Sequence, residues 1–448
     1  MTSPARHESV ASETLNLVEA VAREFDDIPR EAVVKEDCLR RGLWFTEEAL
    51  RSGHEYARKS YFIFSFDHRP LEDMADAPHR DDAPEEIALE GGPWGFQRVI
   101  VSVRLNPDSP WLIELGDDDQ PVLRCGDTTV CQVAFSPRPP YYGQELDDGT
   151  PITEVAPSIE WGYLLYLTVF RMCQYFGKEE ECQFCDINRN FKQQRALGRP
   201  YFAVKPVDRL LEALDRVVAS GSRAKAYTLT GGSVTSQLEG LTEAEFYVRY
   251  AEAIESRFPG RWTAKMVVQA LPKEDVQRIH DAGIVIYHPN YEIWDRELFE
   301  RICPGKARYV GRDTWISRIL DAAEVFGPER VIPNFVGGIE TARPFGFRTE
   351  EEAWASTGEG LEFFMSRGIA PRFTTWCPEP LSVLGKETGP ATLRYHVGLL
   401  RTWRDTHARH DLPAPPGYGE PGLGNAVFSV SSFMDVIAPG TRTLPARP

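Results

Sequence analysis

The feature that most constrains this chain is an alternation of strand-like and helix-like segments running from about Trp161 to Trp376. Strand-like YLLYLTVF at 163–170 is followed by the amphipathic pattern VDRLLEALDRVVAS at 207–220. Strand AYTLT at 226–230, helix EAEFYVRYAEAIESR, strand WTAKMVVQAL, helix EDVQRIHDAG and strand IVIYH come next. Helical stretches at ELFERI and WISRILDAAEVFG lead to strand VIPNFV at 331–336, helix EEAWASTGEGLEFFMSRG and strand RFTTW at 372–376. Short apolar runs rich in β-branched and aromatic residues, separated by helical periodicity, require crossover connections and hence a parallel sheet. Six such units predict an α/β fold, a partial (β/α)6 TIM-like barrel.

The flanks have a different texture. Residues 1 to about 57 carry apolar positions at helical spacing, in LNLVEAVAREF and TEEALRSG. YFIFSF, RVIVSVRL and TTVCQVAF are β-rich runs broken by Pro, Gly and Asp. SPRPPYYGQELDDGTP at 136–151 reads as a linker. After the barrel come the helical ATLRYHVGLLRTWRDTHARH, a Pro/Gly connection and the apolar NAVFSVSSFMDVI, expected to pack back on the body. The expected divisions are a helical segment at 1–58, a β-containing extension at 59–158, the barrel at 159–385 and a C-terminal extension at 386–448.

Of the eight cysteines, Cys173, Cys182 and Cys185 fall within thirteen residues, immediately after the first barrel strand. Loops at the carboxyl ends of barrel strands build active sites. Thiolates are soft ligands that suit zinc or an iron–sulfur cluster. A structural zinc site is closed by four ligands, and the flanking sequence offers no His or further Cys; a distant ligand leaves zinc open. Three thiolates with no local fourth suit a 4Fe–4S cluster with one iron free for another ligand. Eight cysteines in 448 residues are too few for a disulfide scaffold.

The ending Cys182-Gln183-Phe184-Cys185 resembles the cluster loop of the radical S-adenosylmethionine (SAM) superfamily, whose first gap is shorter than the eight residues between Cys173 and Cys182. The intervening Gly177-Lys178-Glu179-Glu180-Glu181 reads as a surface excursion. The biotin-synthase-like group is the nearest in overall look. Further motifs follow in the order the resemblance implies. Thr230-Gly231-Gly232-Ser233 ends the second strand, where the family places a Gly-Gly turn against the SAM amino group, and two glycines permit close backbone approach. His288-Pro289-Asn290-Tyr291-Glu292 ends the fourth; Asn290 and Glu292 then become candidates for the SAM ribose hydroxyls. Gly337, Gly338 and Glu340, after the fifth, correspond to the adenine region, and Phe184 to an aromatic packing on adenine. Cys377, Tyr291 and His288 are candidates for proton or hydrogen transfer, with Cys303 beside them; Lys306 is a candidate partner for a substrate or SAM carboxylate.

The resemblance implies two cofactors, a 4Fe–4S cluster and SAM, and an enzyme that cleaves SAM reductively to a 5′-deoxyadenosyl radical acting on a small-molecule biosynthetic substrate. An external electron donor such as flavodoxin or ferredoxin is implied with it. Transfer of a methyl or aminocarboxypropyl group from SAM is an alternative, and a zinc-stabilised barrel serving as binding module or non-redox enzyme is another. No second cysteine cluster, cobalamin-binding region or basic RNA-binding appendage is visible. A formal charge of −17 argues against partners made of nucleic acid or anionic lipid. No apolar run reaches the ~20 residues of a membrane span, and the first residues lack the apolar core of a secretory signal; a cytoplasmic protein is expected.

Overall fold

The computed structural model describes residues 4–52, 55–69, 82–177 and 179–445, with side chains from Ser9 onward. Lys178, within the polar stretch of the cysteine loop, lies outside the described residues. Among those described, no helix is long and apolar enough to cross a membrane.

Six parallel strands carry the fold: β1 (Leu164–Phe170), β2 (Ala226–Gly231), β3 (Thr263–Val268), β4 (Ile286–Pro289), β5 (Asn334–Gly337) and β6 (Arg372–Thr375). β1 to β4 are hydrogen-bonded in chain order, with Ser158–Ile159 antiparallel on the outer edge of β1. β5 pairs with β6, and parallel bridges Tyr287↔Val331 and Glu292↔Phe335 join the two groups. The expected partial barrel is thus a curved parallel sheet, open between β6 and β1.

The helices between strands form for legible reasons. Val207–Ala219 buries Leu210, Ala213, Leu214 and Val217, an i, i+3, i+4, i+7 stripe against the sheet. Thr242 and Glu245 make a reciprocal capping box at the start of Glu243–Arg257, and Thr349 and Glu352 repeat it at Glu350–Met365. A helix at Ile187–Ala196, directly after the cysteines, was not expected from the sequence.

Register decides what faces the interior. Tyr166, Thr228 and Lys265 are aligned across β1–β3, and Thr168, Thr230, Val267 and His288 form the next aligned row across β1–β4. On the other group Asn334 aligns with Arg372 and Val336 with Thr374. Because side chains alternate along a strand, these residues share one face. That face is largely polar, whereas a closed barrel packs its interior with branched apolar side chains.

The extension contributes helices Pro4–Glu24, Arg30–Arg41 and Glu47–Ser52. Its six-stranded mixed sheet is ordered Trp44–Phe45, Trp111–Leu115, Pro121–Cys125, Thr128–Phe135, Glu86–Gly91, Phe96–Ser102. Residues 428–431 connect this layer to the barrel. Val430 carbonyl accepts from Thr375 N at 3.0 Å, Ser429 carbonyl accepts from Ser102 N at 3.0 Å, and Ser431 Oγ donates to Phe373 O at 2.7 Å. Helix Arg30–Arg41 holds the same segment through charge: Lys35 pairs with Asp435 at 2.7 Å, both fully buried, and donates to Phe428 O at 2.7 Å.

Two sequence expectations are corrected here. YFIFSF is not a strand; residues 61–66 run irregularly, with Asn190 Nδ2 donating to Ile63 O at 3.2 Å and Tyr201 Oη to Ser60 O at 2.6 Å. Side chains meet the backbone needs that a ladder would otherwise meet. The stretch at 136–151 is no free linker: Tyr141 is fully buried and donates to Ala156 O at 3.0 Å.

Just before β1 the backbone turns through three consecutive left-handed residues, Glu160 (φ 54°), Trp161 (φ 57°) and Gly162 (φ 86°). The Glu86 carboxylate, from the extension, accepts from Glu160 N at 2.8 Å and Trp161 N at 2.7 Å. Burial pushes Glu86 up to about 7 against these bonds.

Two predictions follow from these buried groups. Lys35→Ala strands the Asp435 carboxylate and lowers unfolding stability by about 3–5 kcal/mol, read from denaturant midpoints. Because the Glu86 pKa is raised by folding from 4.5 to about 7, its contribution is present below pH 4.5 and fades as pH rises through 7. Glu86→Gln, which cannot ionise, shows a shallower decline of urea midpoint across that interval than the parent chain; an unchanged slope would refute this account.

Candidate active site

The three cysteines follow β1 in a loop that lies across the carboxyl edge of the sheet. Asn188 clamps its start, accepting from Cys173 N at 2.6 Å through Oδ1 and donating to Cys173 O at 3.1 Å. Cys185 N donates to Cys182 O at 2.9 Å, closing the turn between them, and Cys185 lies two residues before helix Ile187–Ala196. That N-terminus favours negative charge on a nearby thiol. The loop is pinned on its far side as well: Gln183 N donates to Ile302 O at 2.8 Å, and Leu384 N to Gln183 O at 2.9 Å. The expected surface excursion is therefore corrected in part. Glu180 is buried, pairs with Arg308, accepts from Tyr309 Oη at 2.9 Å, and its carbonyl takes Gly305 N at 2.9 Å.

All three thiols line one cavity of about 230 Å³. Burial pushes Cys173 up to about 12, with Cys182 adding to it, and drives Cys185 well above the ordinary thiol value, again with Cys182 and Cys173 contributing. Such mutually close, desolvated thiols ionise together only beside a cation, the environment that a thiolate-bound metal group supplies. Among the described residues no three His, Cys, Asp or Glu side chains are set to hold a single metal ion. A cluster in which each thiolate binds its own iron makes a different demand from one tetrahedral zinc. The donor set of three cysteines fits that group. Cys303, 121 positions on from Cys182, is fully buried; burial first, and the nearby Cys182 with it, drive its thiol well above the ordinary value. The proximity was hidden by sequence distance.

Gly231 and Gly232 are explained by contact. A Cβ on Gly232 would stand 1.9 Å from Met172 O and 2.5 Å from Cys173 Cα, and one on Gly231 would meet Phe170 O at 2.4 Å. The cysteine loop lies directly against the end of β2. Thr230, Gly231, Gly232 and Ser233 line the cavity, and Ser233 O accepts from Gln174 N at 2.9 Å. Where the resemblance leads one to expect an acid after the glycines, the acid on the cavity wall is Glu243, ten residues beyond Ser233. It is buried and accepts from Val234 N at 2.6 Å, Gln269 N at 3.0 Å and Gln269 Nε2 at 2.6 Å. Burial raises its pKa against these bonds. Nothing local in the sequence marked it, since it reads as an ordinary first-turn helix acid.

Asn290 and Glu292 both line the cavity, and Asn290 Oδ1 is buried without a partner. Glu292 has φ 77°, a strained value for a side-chain-bearing residue. Its N donates to Asn334 O at 2.8 Å and its carbonyl accepts from Val336 N at 2.9 Å, so it stitches β4 to β5. Lys306, also on the wall, pairs with Glu292 at 2.5 Å and donates to Asn290 O at 3.0 Å. Burial draws the Lys306 ammonium down, and Glu292 with the thiols of Cys182 and Cys303 more than offsets it, leaving the pKa raised. Phe184 and Cys377 line the cavity too, and burial drives the Cys377 thiol well up.

Other predicted residues are placed elsewhere. His288 is fully buried, off the cavity wall, with Nδ1 2.9 Å from Ile332 O; burial, then Arg372 and Lys265, hold it well below its ordinary pKa. Tyr291 points into the aromatic core, stacked on Phe299 at 5.4 Å. Gly337, Gly338 and Glu340 stand off the cavity as well. Glu340 is buried, accepts from Thr357 Oγ1 at 2.8 Å, Gly338 N at 2.9 Å and Tyr395 Oη, and ties β5 to helix Leu393–Arg409. The strand-end residue of β5 that does reach the wall is Val336. Alternation along a short strand turns its neighbours outward.

No family model matches this sequence, and no curated protein matches it. Among solved structures the chain is similar to three enzymes. They are methylornithine synthase PylB (TM-score 0.39, 11% identity, covering 61% of this chain and 76% of that one), the FeFe-hydrogenase maturase HydG of Carboxydothermus hydrogenoformans (0.37, 11%, 58% and 54%), and coproporphyrinogen III oxidase HemN of Escherichia coli, a radical SAM enzyme (0.34, 10%, 58% and 54%). The match spans about half the length of the HydG and HemN chains. Likeness of this degree decides neither fold nor chemistry, which rest on the sheet and the cavity described above.

Gly232→Ala forces Met172 and Cys173 away from β2. The variant loses about 1–3 kcal/mol of stability, the usual range for overpacking, read from denaturant midpoints. Retention of parental stability would show that the loop does not depend on this contact.

Proposed function

We propose that the chain is a radical SAM enzyme, holding a 4Fe–4S cluster on Cys173, Cys182 and Cys185. The observation that carries this reading is a single cavity at the carboxyl ends of parallel strands, which the three cysteines share with Asn290 and Glu292. When bound, the cluster supplies the electron that cleaves SAM, giving a 5′-deoxyadenosyl radical. The chain's own residues bind, orient and exclude water.

Asn290 Oδ1, without a protein partner, is available to a ribose hydroxyl. Lys306 holds the Glu292 carboxylate beside it in one orientation. Glu243, already fixed by three donors, offers negative charge to a SAM ammonium near Ser233. Phe62, Ile63 and Ile187 form a buried apolar cluster on which Cys173, Phe176 and Cys185 pack, so the thiols are shielded on that side. Shielding suits a reactive radical, which water and solvent-borne hydrogen donors would otherwise quench. An external one-electron donor and a small-molecule substrate belong to the same reading.

Anaerobic purification yields a brown protein with about four irons per chain, and Cys182→Ala abolishes the colour and the iron. Incubation with SAM and dithionite releases 5′-deoxyadenosine, identified by mass spectrometry. Methylthioadenosine as the only nucleoside product would transfer the assignment to aminocarboxypropyl chemistry. A colourless protein with stoichiometric zinc would overturn it.

A further inference from the structure

On the wall of the same cavity stand two oppositely charged side chains that do not pair. Glu160 is 2% exposed, lines the cavity, and its Oε2 has no hydrogen-bond partner. Arg372, the first residue of β6, lines the cavity with its Nε unpartnered. Among the described residues neither side chain has an ion-pair partner within 4.0 Å. Two more buried polar atoms on this wall lack partners, Asn334 Oδ1 and Trp376 Nε1. Buried polar groups are nearly always satisfied, and four orphans converging on one space call for a polar ligand.

The surroundings hold both charges in place. Glu160 opens the left-handed turn that Glu86 fastens through two backbone bonds; such strain persists where the surrounding structure over-determines it and concentrates at functional sites. The Arg372 guanidinium carbon lies 5.7 Å from the centroid of the Tyr418 ring and 5.8 Å from that of Phe428. Lys265 is the cation that acts most strongly on Glu160, yet it forms no ion pair with it; its Nζ donates to Gly417 O at 2.8 Å and lies 4.2 Å from the Tyr418 ring centroid. Apolar contact on the same cavity comes from Phe62, Tyr166, Phe428 and Val430.

We infer that Glu160 and Arg372 mark the substrate subsite and that it takes a molecule bearing both an amine and a carboxylate, an α-amino acid or close derivative. Arg372 receives the carboxylate, Glu160 the ammonium, and the aromatic wall the side chain. A zwitterion satisfies both charges at once, whereas a plain acid or a plain amine leaves one of them buried and unpaired. Calling the ligand the substrate rests on the function proposed above; the binding itself does not.

The test is a thermal-shift screen of the twenty standard amino acids, each at millimolar concentration, on anaerobically purified cluster-loaded protein. Calorimetry then follows on the best binder, on its deaminated acid and on its decarboxylated amine. The amino acid is expected to bind about tenfold or more tightly than either fragment. Arg372→Gln weakens the amino acid and the acid by a similar factor and spares the amine. Glu160→Gln does the converse, and the spared fragment shows in each case that the variant is folded. Saturating S-adenosylhomocysteine leaves the amino-acid affinity within a few-fold. No shift from any amino acid, or affinities indifferent to both substitutions, would overturn the inference. So would competition by S-adenosylhomocysteine, which would make this the pocket for the methionyl group of SAM. Amino-acid binding with this signature in a protein that holds no iron would sink the radical chemistry alone. A brown, SAM-cleaving protein without it would sink the subsite alone.

Discussion

The contact between Gly232 and the backbone of Met172 and Cys173 is the constraint from which the site follows. A loop that must present three thiols to one space needs a floor, and the end of β2 supplies it only because two successive residues there have no side chain. With the loop lying flat on that floor, Asn188 can clasp Cys173 from the following helix, and Gln183 can reach Ile302 and Leu384 on the other side. The thiols then face the strand ends that carry Ser233, Asn290 and Glu292.

An open parallel sheet exposes both its edge and its interior face, and the flanking segments exist to cover them. The irregular chain at 61–66 lies over the cysteines through Phe62 and Ile63, and residues 428–431 bond to β6 on one side and to the extension sheet on the other. Charges do much of the fastening: Lys35 with Asp435, Glu86 under the turn at 160–162, and Arg104, which donates to Leu39 O and Thr375 O at 2.8 Å. Buried charges are costly unless fully bonded, so each of these contacts sets one geometry for the join. The interior they close is a cavity with a mostly apolar wall, into which Tyr166, Thr228, Thr230, Asn334, Arg372 and Thr374 bring polar groups at positions that branched apolar residues fill in a packed barrel.

The legible part of the site was local in the chain. The cysteine triad, the Gly-Gly pair and the Asn-x-Glu run each sit within a few residues at a strand end, and all reach the cavity. Residues read from the same runs but one or two positions away were turned elsewhere. Tyr291 enters the aromatic core beside β4, and Glu340 bonds to Tyr395 and Thr357, because neighbouring backbone positions point to opposite sides; His288 shares the interior face but is held against Ile332 O, off the cavity wall. Glu243, Glu160 and Arg372 carried no local mark. Each looks like an ordinary helix acid, turn acid or strand-starting cation until the strands are aligned.

By itself, then, the sequence determined the elements and their order, since hydrophobic periodicity and turn chemistry act over a few residues. It also marked the loop as a candidate metal site, since closely spaced thiols are soft ligands. Only the tertiary structure decided which polar residues share the cavity, because register across β1–β6 and the tail's place beside β6 are set by contacts between residues hundreds of positions apart. It likewise decided that Glu160 and Arg372 line one cavity without forming an ion pair. The pinned turn before β1 fixes Glu160, and the rings of Tyr418 and Phe428 lie beside the Arg372 guanidinium.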